Sequence, residues 1–326
     1  MATDSPAVAV GVSERRDAAR TLQRRRRIFQ LAFFALFLVA PAFNLLRFDL
    51  YETQLWVLGF RWSLGIEALT RGEATAMQTA ASILVRGFLP AIALVVTFLL
   101  VAYRFGRLYC GWLCPHFSLV ELLNDVLHRA SGKLSLWDTS PTPRGQRQPQ
   151  AHWWPVYVLL CAVMGFVWAI TLLTYLLPPA VIWGNLVHGS LTANQARFLG
   201  IGTSVFSLEL LLARHLFCRF GCAVGLFQSL AWMANPKGMV VAFARERARE
   251  CRTCDAPHGS ACDHACPMRL NPRNIKRMMF SCAQCGQCLS ACETSQGAQN
   301  RSSSLEWVVG LDAVRETLRQ RKEDRQ

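Results

Sequence analysis

Cys282-Ala283-Gln284-Cys285-Gly286-Gln287-Cys288-Leu289-Ser290-Ala291-Cys292 is a run in which three cysteines stand two residues apart and a fourth follows after three more. Such spacing wraps a tight loop around three corners of one cubane, and the fourth thiolate reaches a second cluster where two are present. A zinc site usually needs only two close pairs and has no use for the third short step. The run therefore reads as the ligand set of a [4Fe–4S] cluster, with an inert zinc-stapled knob as the competing reading.

Upstream lies a partner run, Cys251-x2-Cys254-x7-Cys262-x3-Cys266, followed by Pro267. Seven residues separate its second and third cysteines where two are usual. Asp255 to Ala261 contains Pro257 and Gly259 and reads as a loop insertion that still returns the thiolate. Crossed ligation then assigns Cys251, Cys254, Cys262 and Cys292 to one cluster and Cys282, Cys285, Cys288 and Cys266 to the other. Eight of the 13 cysteines fall in this stretch. A disulfide framework there would need an oxidising compartment. Arg269, Arg273, Lys276 and Arg277, between the runs, are open to three readings: solvation, docking of an acidic partner, or offset of cluster charge.

Outward from the cysteines the chain is apolar. Of 326 residues 52% are hydrophobic and 17% charged, too greasy a balance for an ordinary soluble domain. Four blocks are long enough to cross a bilayer: about residues 28–46, 82–103, 154–177 and 198–217, the last interrupted by Glu209. The third stops at Pro178 and Pro179, which cannot continue a helix. An uncleaved anchor fits residues 28–46 better than a signal peptide, whose apolar core is shorter.

The net charge of +14 raises the question of nucleic acid, but 30 of the 35 lysines and arginines lie before the first block, between the second and third, or from Arg214 onward. That is the distribution of cytoplasmic flanks, so both termini are expected inside and no nucleic-acid partner is expected. The expected fold is a four-helix membrane domain (28–249) after a basic N-terminus (1–27). A small cytoplasmic α+β ferredoxin-like domain with two clusters (250–300) and a helical tail (301–326) follow. In the loop after the second block Pro141, Pro143 and Gly145 mark a polar segment, and Leu305 to Leu318 carries apolar residues at helical spacing.

An internal repeat is visible: Leu108-Tyr109-Cys110-Gly111-Trp112-Leu113-Cys114 aligns with Leu216-Phe217-Cys218-Arg219-Phe220-Gly221-Cys222, each copy directly after an even-numbered block. Cysteines four apart on a helix share a face, so Cys110, Cys114, Cys218 and Cys222 are candidate redox or metal thiols. They are equally open to being small packing residues at helix ends. Glu209 is a candidate proton acceptor for quinol oxidation, with pairing to Arg214 or His215 as the alternative. Cys161 reads as a packing residue.

Cys110-Gly111-Trp112-Leu113-Cys114-Pro115, the second copy, the four blocks and the two-cluster domain together resemble the membrane polyferredoxins of the NapH, NosR and MauN type, over about Ile28 to Cys292. The CcoG-type proteins share the cysteine motifs more distantly. In the second copy Ala223 stands where the first has Pro115. The resemblance implies a multi-pass protein of the bacterial inner membrane that passes electrons from the quinone pool or a cytoplasmic donor toward a partner redox system. In NapH-like proteins that system is periplasmic nitrate reduction. It equally implies a role in metalloenzyme maturation, with copper reduced or delivered at the Cys-x3-Cys sulfurs. A cluster-based redox sensor is the third reading.

Overall fold

The computed structural model describes residues 12–138, 148–254 and 260–323. The expected loop features at Pro141, Pro143, Gly145, Pro257 and Gly259 lie outside the described residues. Three helices are long and apolar enough to cross a membrane: α2 (Ala76–Phe105), α4 (Trp153–Leu176) and α5 (Ala193–Ala213). They coincide with the second, third and fourth apolar blocks, the last beginning and ending a few residues early. Helix α1 (Val12–Val39) runs without a break through the arginine run, and α3 (Pro115–Ser131) follows α2.

The first block differs from expectation. Its helix ends at Val39, because Pro41 disfavours helical geometry at the residue before it. From Ile28 that leaves 12 residues, about 18 Å of helix at 1.5 Å per residue, against about 30 Å of hydrocarbon. The chain continues through a turn into an antiparallel meander of β1 (Leu46–Asp49), β2 (Gln54–Val57) and β3 (Phe60–Trp62). The meander sits at the C-terminal end of α4, where Leu50 N–H donates to the Leu176 carbonyl (2.9 Å) and Tyr175 Oη donates to the Phe37 carbonyl (2.9 Å).

Pro90 explains an irregularity in α2. Without an N–H it leaves the carbonyl of Arg86, four residues back, without its helical donor. The turn Ile83–Phe88 is wound as a π-helix, and Trp62 Nε1 on β3 donates to the Arg86 carbonyl at 2.9 Å. Helices α4 and α5 approach closely through small residues: a Cβ at Gly165 would meet Ser207 N at 2.8 Å and Thr203 O at 3.0 Å. Amphipathic α3 buries Leu119, Leu123 and Leu127 against Tyr157 and Cys161 of α4, so Cys161 is a packing residue.

After α5, helix α6 (Ala223–Met233) leads to β4 (Val240–Phe243). The cysteine domain carries α7 (Gln287–Gly297), then β5 (Leu305–Val308) and α8 (Leu311–Glu323). The single helix expected over Leu305–Leu318 is thus a strand followed by a helix. Leu305–Val308 pairs antiparallel with β4, satisfying the unpaired groups of that edge, and Gly310 at φ 76° turns the chain before α8 starts. The domain is bolted to the helices. Lys276 Nζ donates to the carbonyls of Trp232 (3.1 Å) and Asn235 (2.6 Å). Arg269 pairs with Asp138 at 2.9 Å, and Arg273 with Asp263 at 2.6 Å. Of the four basic residues left open by the sequence, three are therefore engaged within the chain.

Candidate functional site

The Cys282 run forms a loop closed by Gly286 in the left-handed region (φ 69°), at the N-terminal boundary of α7. A side chain there would strike Trp307 of β5, so only glycine allows the loop to lie against the sheet. Cys266, Cys282, Cys285 and Cys288 line one small cavity with Met268, Met279 and Trp307. Cys262, Cys288 and Cys292 pack into one cluster with Cys251 beside them, and Cys254 lies within electrostatic reach of Cys251. Cys288 thus borders both gatherings, and Cys266 and Cys292, the last cysteine of each run, each lie beside cysteines of the other run.

Hydrogen-bond donors surround the sulfurs. Leu270 N–H points to Cys266 Sγ and Ser304 N–H to Cys292 Sγ, both at 3.4 Å. Burial pushes the Cys282 thiol up to about 12, opposed by the backbone N–H of Gln284 and by Arg107. Thiols so desolvated become thiolates only with a compensating cation, which a metal provides as it displaces the protons. The donor set fits [4Fe–4S] clusters: thiolate-only ligands, an apolar lining and N–H groups on sulfur.

The two Cys-x3-Cys segments meet against this domain. They do not present their thiols from one helical face: Cys110 lies in a short helix (Leu108–Trp112), and Cys114 is the extended residue just before α3. Cys222 is likewise the extended residue before α6, after a π-wound turn (Phe217–Gly221) holding Cys218. In each copy the helix is broken before the second thiol. Every one of the six pairings among Cys110, Cys114, Cys218 and Cys222 is close enough for one thiol to oppose ionisation of the other.

The first segment lies flush on the cluster loop. A Cβ at Gly111 would collide with the Ala283 carbonyl, and Trp112 Nε1 donates to the Gln284 carbonyl at 3.1 Å. Arg107, absent from the sequence-based site, is 2% exposed among these thiols. Gln228 Nε2 lies 3.3 Å from Cys110 Sγ.

Glu209 pairs with neither Arg214 nor His215 through its side chain. Its carboxylate stands 3.4 Å from His116 Nε2, in the first turn of α3, two residues beyond Cys114. A separate cleft of about 740 Å³ opens between α1, α3, α4 and the cysteine domain, within the usual size of small-molecule sites. Leu31, Phe34, Leu119, Leu122 and Met164 form its apolar wall, and Pro267, next to Cys266, is at its edge. Glu121 and Asn124 bring polar groups to it. Burial raises the Glu121 carboxyl, and Arg26 and Gln30 oppose that rise. Asn124 is 4% exposed, and its Oδ1 has no hydrogen-bond partner. No local pattern in the sequence marks Arg26, Glu121 or Asn124, since the partners lie far apart along the chain.

The family described as a 4Fe-4S binding domain matches residues 88–133. The ferredoxin-type protein NapH of Escherichia coli (strain K12) is 25% identical over 281 residues, covering 82% of this chain and 85% of NapH. The methylamine utilization ferredoxin-type protein MauN of Methylorubrum extorquens is 31% identical over 169 residues, half of each chain. The putative electron transport protein YccM of Escherichia coli is 23% identical over 218 residues, covering 64% of this chain and 56% of its own. No solved structure matches. In sequence the chain is similar to the ferredoxin-type proteins NapH and MauN, the resemblance expected from its cysteine spacing.

Proposed function

We propose that the chain is a membrane-anchored iron–sulfur protein that relays electrons between the quinone pool, or a cytoplasmic donor, and a partner redox system. What supports this reading is that Cys266, Cys282, Cys285 and Cys288 line one cavity, and Cys251, Cys262, Cys288 and Cys292 pack together, on a domain bolted to apolar helices. Each of the two crossed ligand sets would hold one [4Fe–4S] cluster, which when bound supplies one-electron chemistry at a potential tuned by hydrogen bonds and exposure. The N–H groups of Leu270 and Ser304 point at the sulfurs of Cys266 and Cys292. Trp307 and Met268 keep water from the second set. The protein sits in the bacterial inner membrane with the cysteine domain in the cytoplasm, the side on which its arginines and lysines collect.

The cleft beside Pro267 suits a quinol. Its apolar wall accepts an isoprenoid tail, and the unpartnered Asn124 Oδ1 can accept a hydrogen bond from a ring hydroxyl. Oxidation of a quinol releases two protons with its two electrons. Glu121, whose proton affinity is raised by burial, is placed to take one of them.

The test is anaerobic reduction of the purified protein by a short-tail quinol, followed by low-temperature EPR. Two cluster signals are expected, one lost in Cys262→Ser and the other in Cys285→Ser. Zinc in place of iron overturns the reading.

A further inference from the structure

We propose that the groove between α1 and α7 binds an acidic phospholipid. Arg20, Arg24 and Arg27 hold its phosphate, and Ile28 and Leu31, where the apolar part of α1 begins, hold its acyl chains. The site rests on the reading of the chain as a membrane protein whose cysteine domain lies on the arginine-rich side. It does not depend on what the cysteines or the cleft beside Pro267 carry.

The first argument is charge. Of the four consecutive arginines, Arg26 turns inward to Glu121 at 2.9 Å, and exposed Arg25 lies outside the groove. Arg24 and Arg27 line it, joined by Arg20 one turn earlier, and all three are exposed. Among the described residues no ion pair answers Arg20 or Arg24, and Arg27 acts on Glu121 only through space. No carboxylate among the described residues lines the groove. Like charges three and four apart on a helix repel, so an anion seated among these guanidiniums turns repulsion into attraction. Their planar fork of N–H donors matches the oxygens of a phosphate.

The second argument is shape. The groove has a volume of about 430 Å³, within the usual size of small-molecule sites. Gln23 fixes its walls, since Nε2 donates to Ser290 Oγ on α7 at 3.1 Å and to the Cys285 carbonyl at 3.3 Å. Arg20, Arg24, Arg27 and Leu31 follow at steps of four, three and four residues, which makes one stripe along α1. Along that stripe charge gives way to hydrocarbon, and Ile28 and Leu31 are 57% and 67% exposed. This is the order in which a phospholipid presents its phosphate and its chains to a helix entering a bilayer. A free phosphate would use the charged end and leave the apolar end bare, whereas a lipid covers both.

Gln23, Arg27, Leu31 and Ser290 line both this groove and the larger cleft beside Pro267. A lipid held here therefore borders the mouth of that cleft. Arg20 and Arg24 line the groove alone, so their substitution probes the lipid without touching the cleft.

Native mass spectrometry of the full-length protein, released from nanodiscs of equal phosphatidylglycerol and phosphatidylcholine, counts the lipids retained. The wild type is expected to keep phosphatidylglycerol in preference to phosphatidylcholine, whose choline cancels the phosphate charge, and to keep it against excess inorganic phosphate. Arg20→Gln and Arg24→Gln are each expected to lower that preference about fivefold, the weight of one arginine at an acidic lipid surface. Arg25→Gln removes the same charge from outside the groove and is expected to leave the preference unchanged. Equal retention of the two lipids by the wild type overturns the proposal and leaves the groove to an acidic protein segment. An equal fall in Arg25→Gln reduces the arginines to a diffuse surface charge, and release by phosphate assigns the groove to a free anion; either result overturns the lipid site. A phosphatidylglycerol with a photoreactive acyl chain, crosslinked to the wild type, guards against a misfolded variant. Its label is expected at Ile28 and Leu31 in excess of that from a matching phosphatidylcholine, and equal labelling there overturns the site. Neither readout uses iron, so a protein without clusters would end the relay reading and leave this one standing.

Discussion

Arg26 belongs to a run of four arginines that reads as a flank for membrane orientation, yet it is 1% exposed. Its guanidinium holds Glu121 at 2.9 Å and donates to the Gly111 carbonyl at 3.1 Å. Gln30 and Gln287 complete the carboxylate's shell at 2.9 and 2.6 Å. Removing one partner of a buried pair strands the other, at a cost of about 3–5 kcal/mol. Arg26→Met is therefore expected to lower stability by about that amount, measured by unfolding in detergent, with Arg26→Met/Glu121→Leu recovering most of it. A single variant as stable as the wild type would show that water reaches Glu121. Gly111→Ala is expected to be worse than its size suggests. The new methyl meets the Ala283 carbonyl, a backbone atom unable to swing aside, and overpacking of this kind costs about 1–3 kcal/mol or more. Loss of iron from the Cys282 run at unchanged expression is the expected readout.

At the scale of elements, apolar blocks and cysteine spacing are local signals, and they were legible. Helices α2, α4 and α5 stand where the hydropathy places them, because each satisfies its backbone internally. The breaks were less legible. Pro41 was visible in the sequence, but its effect, ending α1 at Val39, was hidden by the apolar residues that continue past it. Leu305–Val308 was misread because four apolar-spaced residues suit a strand as well as a helix, and the choice is made by β4, more than sixty residues away. The Cys-x3-Cys copies were legible as a repeat, but not the helix breaks at Leu113 and Cys222. Arg107 escaped because a lone arginine after a helix carries no local mark.

Two element-scale expectations follow. Trp62→Phe removes the donor to the Arg86 carbonyl, an exposed hydrogen bond, at about 0.5–1.5 kcal/mol. Gly165→Val drives a side chain onto the Ser207 and Thr203 backbone and should separate α4 from α5. For both variants, denaturant midpoints in detergent, compared with Gly189→Val, where a Cβ meets nothing within 4 Å, test whether the effect comes from packing. Gly189 has a positive φ of its own (66°), so that control bounds the backbone strain.

For the whole molecule, the number of crossings is constrained by one contact. Gln23, near the base of α1, donates to the Cys285 carbonyl (3.3 Å) and to Ser290 Oγ (3.1 Å), so the chain before Ile28 and the cysteine domain share a side. Helix α2 ends on that same side, where Met239 N–H donates to the Arg104 carbonyl at 2.8 Å; it must therefore begin on the opposite one. With α2 spanning the bilayer, a change of sides would fall between Ile28 and Ala76, where no helix is long and apolar enough to make it alone. We infer that the apolar end of α1, the turn after Val39 and the meander over Leu176 make this crossing together, with the meander at the far surface. Four crossings, with both termini on the side of the arginines, is the layout this inference predicts. A periplasmic reporter inserted after Gly189, between α4 and α5, is then expected to be active. The same reporter fused after Gln326 is expected to be silent, and a cytoplasmic reporter should give the reverse. A silent insertion at Gly189 with an active C-terminal fusion would invert the molecule, placing both the cysteine domain and the base of α1 outside. Equal activity at the two sites would instead break the parity argument that rests on Gln23.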